Sequence, residues 1–259
     1  MIRGLHVDVH DGDGPYALFV HGILSSRAQW MLNLDAVSSV CRPVVVELLG
    51  HGRSEAPEEA ESYAPEAYAD AFEALRESLG VERWLVVGQS LGSAITLRYS
   101  LDYPDRVIAQ VFTNSSSALA DDAWQQRLRA MAPQIASRLE AGGLSAVAEM
   151  PIHPSKARRM PEAVKQALVA DAELLNPRGV ARSIVYTSTS SVRARAHENT
   201  VPTLLVAGGK EKEFEEPRAF AEANMPHLET VVLEAGHAVN VQAAEEFNET
   251  VTAFFGSLR

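Results

Sequence analysis

The apolar run Trp84-Leu85-Val86-Val87 ends at a glycine, and a single serine then stands between glycines in Gly88-Gln89-Ser90-Leu91-Gly92. The run reads as a buried strand, and residues 91–101 carry apolar side chains at helical spacing. A strand that passes into a helix through Gly-x-Ser-x-Gly must turn within a few residues, and side chains at the flanking positions would crowd that turn. The serine hydroxyl is then held up at the carboxyl end of a strand. This demand for strand, elbow and helix in fixed order constrains the fold more than any other stretch.

The rest of the chain offers repeated units of the same kind. Residues 16–20, 43–48, 84–88, 107–113, 203–207 and 230–233 read as short, mostly β-branched strands. Helical patterns lie between them at 27–39, 65–79, 91–101, 217–223 and 239–258. Such alternation predicts an α/β fold with a mostly parallel sheet and helices on both faces. Residues 118–198 break the rhythm. They hold no convincing strand and four helical stretches, at 121–141, 144–150, 161–175 and 178–188, so the expectation is a core of 1–117 and 199–259 with an inserted helical cap of 118–198.

Composition bounds what such a protein does. With 259 residues, 46% of them hydrophobic, the chain can bury a substantial core as one unit. The lone Cys41 excludes an internal disulfide framework and a multi-thiolate metal site, and is expected to be a buried, inert thiol. Residues 1–20 lack the basic start and apolar core of a secretory leader, and no run approaches the roughly 18 apolar residues of a membrane span, so a cytoplasmic protein without membrane contact is expected. The net charge of −11 argues against a nucleic-acid partner. That charge is unevenly spread. Residues 118–200 hold 11 Lys/Arg against 8 Asp/Glu, a balance of +3, and the remainder holds 12 against 26, or −14.

A serine hydroxyl is a weak nucleophile at neutral pH and needs a base for its proton and donors for the oxyanion. His21-Gly22-Ile23, His51-Gly52-Arg53-Ser54 and Gly236-His237 each follow a predicted strand and supply candidates. His6, His10, His153, His197 and His227 are read as structural or solvated, and His21 and His51 as bonding backbone in the loops near the site.

Taken together, "HG" after an early strand, "GHGRS" after the next, "GQSLGS" at the elbow, "YPDRV", "VPTLLVAG" and "AGHAVN" resemble the α/β-hydrolase superfamily, in its capped serine-hydrolase subgroup of esterases, lactonases and C–C bond hydrolases. The resemblance spans nearly the whole chain. It implies a sheet of seven to eight strands; only residues 2–10 precede the turn 11–15, where relatives commonly carry a hairpin. It further implies Ser90 as nucleophile, His237 as base, and the backbone N–H groups of Ile23 and Leu91 as oxyanion donors. The acid is the departure from pattern. The loop Ala207-Gly208-Gly209-Lys210-Glu211-Lys212-Glu213 has no aspartate; Glu211 stands at the usual offset, Glu213 is the nearby competitor, and the alternative position in relatives holds Asn114, which cannot carry the charge.

The implied chemistry is acyl transfer to water from a small-molecule ester or lactone, with no metal or organic cofactor, in a monomer or homodimer. A serine at the elbow argues against the dehalogenase and epoxide-hydrolase chemistry of relatives with aspartate there. Substrate choice is expected to lie in the cap, with Trp124, Met131, Leu139, Met150, Ile152, Met160, Leu168 and Tyr186 as candidate pocket residues. The positive balance of the cap suggests a carboxylated substrate held by Arg127, Arg158 or Arg182. Two alternatives stand beside ester hydrolysis: a C–C bond hydrolase or elimination enzyme on a carboxylated substrate, and a slow-turnover binding receptor.

Overall fold

The structure is a computed structural model and describes residues 1–258. Seven strands form one sheet: β1 (His6–Val9), β2 (Tyr16–Val20), β3 (Arg42–Glu47), β4 (Trp84–Gly88), β5 (Val107–Thr113), β6 (Thr203–Gly208) and β7 (Leu228–Leu233). Their spatial order is β1-β3-β2-β4-β5-β6-β7. β1 pairs antiparallel with β3, His6 opposite Glu47, and every other pair is parallel. The segment before residue 11 thus adds one edge strand, and the sheet has seven.

Nine α-helices surround it: α1 (Leu34–Val37), α2 (Pro65–Ser78), α3 (Leu91–Asp102), α4 (Asp122–Glu149), α5 (Glu162–Ala172), α6 (Pro177–Thr187), α7 (Glu215–Asn224), α8 (Val239–Gln242) and α9 (Ala244–Ser257) among the described residues. Strand side chains alternate between the two faces, as the pleat requires. Leu18, Val44, Val46 and Val86 join Phe72 of α2 and Ile95 and Tyr99 of α3 on one face. Phe19, Val45 and Val87 join Phe247 and Val251 of α9 on the other. Both faces are covered, which is why these strands read as continuous apolar runs rather than as alternating ones.

Helices α4 to α6 follow β5 and precede β6. α4 and α6 pack through Ala132, Leu139, Val147, Val180 and Ile184. Two contacts tie them to loops at the carboxyl ends of strands. The Ser26 hydroxyl, after β2, donates to Asp171 of α5 at 2.6 Å. After β3, Gly50 lies so close to Gly179 of α6 that a Cβ on it would stand 2.7 Å from the Gly179 Cα.

Three regions differ from the helices that periodicity predicts. Residues 27–39 form a short 3-10 turn, Arg27–Trp30, and the single turn α1 instead of one helix. The cause is polar: Ser26 accepts the Ala28 N–H, and the buried Asn33 turns inward to bond Asn240 and Asn248. Residues 239–258 split into α8 and α9 at Ala243, whose φ of −131° and ψ of 55° are not helical. The stretches expected at 121–141 and 144–150 run on as α4, kinked at Gly143 with φ 60° and ψ −148°.

Candidate active site

The strand order reverses at β2 and β4. β3 lies on the far side of β2 and β5 on the far side of β4, so the connections leave in opposite directions and open a crevice at the carboxyl ends. Val20 is opposite Gly88 across that pair, which sets the loop after β2 beside the elbow after β4. Ser90 holds φ 55° and ψ −117°, a strained conformation for a residue with a Cβ. The packing permits nothing larger around it. A Cβ on Gly88 would lie 2.6 Å from the Ser93 Cα, and one on Gly92 would run into the Val20 carbonyl. Gly22 belongs to the same close approach, since its Cβ would stand 2.8 Å from that of Ser90.

Ser90 donates its hydroxyl proton to His237 Nε2 at 2.8 Å, and His237 Nδ1 donates to Glu211 at 2.9 Å to Oε1 and 3.1 Å to Oε2. Three residues from the ends of β4, β6 and β7 therefore form one chain of hydrogen bonds. Glu213, the competitor, is exposed and does not meet His237. Burial pushes the Glu211 carboxyl up, but the hydrogen bonds from His237 and Asn114 and the imidazole charge outweigh it, and the net direction is down. The His237 loop is itself pinned. Gly236 N–H donates to the Gln242 side chain at 2.6 Å, and the buried Asn240 donates to Gln29 O and Asn33 Oδ1.

Ile23 and Leu91 both line the cavity described below, and their backbone N–H groups have no acceptor among the described residues. Leu91 opens α3, where the first N–H groups lack intrahelical partners and the helix dipole favours negative charge. Two buried histidines shape the facing loop. His21 Nε2 accepts the Leu48 N–H and Nδ1 donates to Gly22 O, while His51 Nε2 accepts the N–H of Leu24, itself at φ 55°, and Nδ1 donates to Leu49 O. Each must stay neutral to accept such a bond. Burial, with the neighbouring His51, lowers His21 to about 3, and burial lowers His51 to about 4.

Unfolded, both imidazoles take up a proton near pH 6.5; folded, they resist until about 3 and about 4. The unfolded chain binds more protons in that window, so stability is full above pH 6.5 and is lost as pH falls through it. Urea unfolding at pH 4.5 is expected to give a free energy lower than at pH 7.5 by a few kcal/mol, on the order of 1.4 per pH unit and histidine at most. A flat profile would mean that the two rings are charged when folded.

Ser90 and His237 open into a cavity of about 410 Å³ between the crevice and the inserted helices. That is the size of a small-molecule site. Trp124, Met150, Ile152, Met160 and Leu168 line it as expected, along with Leu128 and Ile135 of α4 and Ile184 of α6, which periodicity did not single out. Three expected residues do not. Leu139 is buried between α4 and α6, Tyr186 packs against the sheet core, and Met131 is 55% exposed in a separate groove.

Among the described residues no Lys, Arg, Asp or Glu side chain lines the cavity, which corrects the expectation that cap arginines hold a carboxylate there. Arg182 lies over the Tyr63 ring and donates to Pro57 O, Arg127 borders the outer groove, and Arg158 a surface hollow with Lys156 and Lys165. Of the eight histidines only His237 lines the cavity. Cys41 is buried, its thiol pushed up to about 12 by desolvation. No helix among the described residues is long and apolar enough to cross a membrane.

Known proteins share this architecture. A provisionally named 2-succinyl-6-hydroxy-2,4-cyclohexadiene-1-carboxylate synthase of Bacillus subtilis is 24% identical over 98% of this chain and 99% of its own. Among solved structures, the enol-lactonase of Burkholderia xenovorans LB400 superposes with a TM-score of 0.82 at 19% identity, covering 97% of this chain and 96% of that one. A protein of Burkholderia cenocepacia provisionally described as an aryl esterase gives 0.78 at 26% identity, over 98% and 94%. The family model for the alpha/beta hydrolase fold matches residues 18–244, and the chain accordingly belongs to that family and is a hydrolase.

Proposed function

We propose that the protein is a serine hydrolase of uncharged carboxylic esters or lactones, and that Ser90, His237 and Glu211 are its catalytic triad. The observation that carries this reading is the unbroken chain of hydrogen bonds from Ser90 through His237 to Glu211, opening into a cavity that no Lys, Arg, Asp or Glu among the described residues lines. His237 takes the Ser90 proton as Oγ attacks the carbonyl carbon, and the oxyanion rests on the N–H groups of Ile23 and Leu91. His237 then gives the proton to the leaving alcohol. A water, deprotonated by the same imidazole, releases the acid from the acyl-enzyme. Residues 118–198 serve as a cap that supplies the apolar wall of the acyl pocket.

A carboxylate such as that in the name of the Bacillus subtilis relative would lose its hydration here with no cation to meet it, which is costly. The test compares p-nitrophenyl hexanoate with the p-nitrophenyl monoester of hexanedioic acid. Their reacting ends are alike, and the neutral ester is expected to show a kcat/KM about 100-fold higher, equivalent to about 2.7 kcal/mol. Equal rates, or preference for the charged ester, would sink the uncharged-substrate reading.

The wall of the pocket makes a further expectation. Trp124, Leu128 and Ser116 also border an outer groove of about 570 Å³ that holds Arg127, Met131 and Glu213. Trp124 sits in the first turn of α4, its backbone N–H donating to Asp121 Oδ1 at 2.7 Å, and because it lines both spaces it stands between them. Trp124→Ala should join them and move the preferred acyl chain upward across a p-nitrophenyl series from acetyl to dodecanoyl. The dodecanoyl-to-butanoyl ratio of kcat/KM is expected to rise about tenfold; an unchanged ratio would place the end of the acyl pocket elsewhere.

A further inference from the structure

Asn114 follows β5, in a position from which no charge could be supplied to the imidazole. Its side chain is fully buried and every polar contact it makes is with the segment that carries Glu211. Its Oδ1 accepts the Gly208 N–H at 2.9 Å, while Nδ2 donates to Gly208 O at 3.1 Å and to Glu211 Oε2 at 2.6 Å. The first bond fixes which end of the amide is nitrogen, because only the oxygen can accept an N–H. The remaining N–H is thus aimed at the carboxylate. Glu211 is the N-cap of a short 3-10 turn, and Lys210, Lys212 and Glu213 around it are exposed, so the loop itself has nothing else that draws the carboxylate inward.

We propose that Asn114 is a positioning residue that clamps Glu211 in the rotamer from which it orients His237. This rests on the hydrolase reading above. The clamp works on the acid alone: Asn114 does not line the cavity, and it acts on Ser90 only through Glu211 and His237. Glutamate has one more rotatable bond than aspartate, and an unheld Glu211 would spend part of its time turned to solvent, leaving the imidazole unoriented.

A double-mutant cycle tests this, with two readouts: hydrolysis of p-nitrophenyl hexanoate, and the rate at which a fluorophosphonate labels Ser90, which needs no knowledge of the natural substrate. Asn114→Ala in the wild-type background is expected to lower kcat and the labelling rate by about 10- to 100-fold with KM within about twofold. In a Glu211→Gln background the same change should cost less than about threefold, since the group it holds is already disabled. Equal losses in both backgrounds would mean that Asn114 merely supports the fold, and the proposal would be overturned.

Asn114→Asp covers the case in which the alanine variant fails to fold, because it keeps an acceptor for the Gly208 N–H. It sets two carboxyl groups where Nδ2 and Oε2 now lie 2.6 Å apart, and two such groups cannot both ionise freely. While the pair shares one proton the contact to Glu211 is kept; once that proton leaves, the two carboxylates repel and Glu211 is driven off His237, so kcat/KM and the labelling rate should fall with rising pH where the wild type holds its plateau. A profile and labelling rate matching the wild type would overturn the clamp. A wild-type protein that neither hydrolyses esters nor reacts with the fluorophosphonate would instead remove the hydrolase reading, and the clamp with it.

Discussion

Ser90→Ala is expected to lower kcat on p-nitrophenyl hexanoate by a factor on the order of 10⁶ while leaving the protein folded. Both halves of that expectation follow from the elbow. Among the described residues the only partner of the Ser90 hydroxyl is His237 Nε2, so its removal deletes the nucleophile and breaks no other hydrogen bond there. The strained backbone at φ 55° is imposed by the close packing at Gly22, Gly88 and Gly92, which alanine leaves intact. The thermal midpoint should therefore stay within the few degrees that about 1 kcal/mol would move it. The variant should also lose the burst of p-nitrophenol that marks acyl-enzyme formation. Activity above about 1% of the wild type, measured on enzyme free of contaminating esterase, would assign the attack to another group or to water directed by His237.

The framework for this chemistry was legible in the sequence because it is local. Strand, elbow and helix at 84–101 are neighbours along the chain, and the glycines needed at 88 and 92 are visible as letters. Resemblance to the family, together with chain order, then set His237 and Glu211 on later strand ends with Glu213 as competitor, and the structure brings Ser90, His237 and Glu211 within hydrogen-bond distance of one another. What escaped were relations between distant segments. Asn114 and Glu211 are 97 residues apart, and Gln29, Asn33 and Asn240 meet across more than 200. In sequence Asn114 registered only as a failed acid, whereas the geometry makes it a donor. Periodicity likewise finds the apolar side of a cap helix without telling whether that side meets the cavity, as with Trp124, or a neighbouring helix, as with Leu139. Charge counting misled for a related reason. A surplus of arginine in 118–200 says nothing of direction, and Arg127, Arg158 and Arg182 all lie outside the lining of the cavity.

Glu211→Gln carries the second large effect, about 10⁴-fold in kcat, because it reverses what the imidazole is told to do. The carboxylate accepts from His237 Nδ1–H, which leaves Nε2 bare to receive the Ser90 proton. A glutamine that already receives Asn114 Nδ2–H on its carbonyl oxygen would turn its own amide N–H toward Nδ1, and the ring would then carry its proton on Nε2, where it cannot act as base. The imidazolium also loses its counter-charge. It becomes harder to form as the serine proton is taken, so the plateau of kcat/KM falls as well. KM should change little, since Glu211 does not line the cavity. Glu213→Gln is the matched control: exposed and without contact to His237, it should stay within about twofold of the wild type on every parameter. The opposite pattern, with Glu213→Gln inactive and Glu211→Gln near wild type, would require the loop after β6 to rearrange when substrate binds. Loss in neither variant would mean that the Ser90–His237 pair works without a carboxylate, and the bond from His237 to Glu211 would then be structural alone.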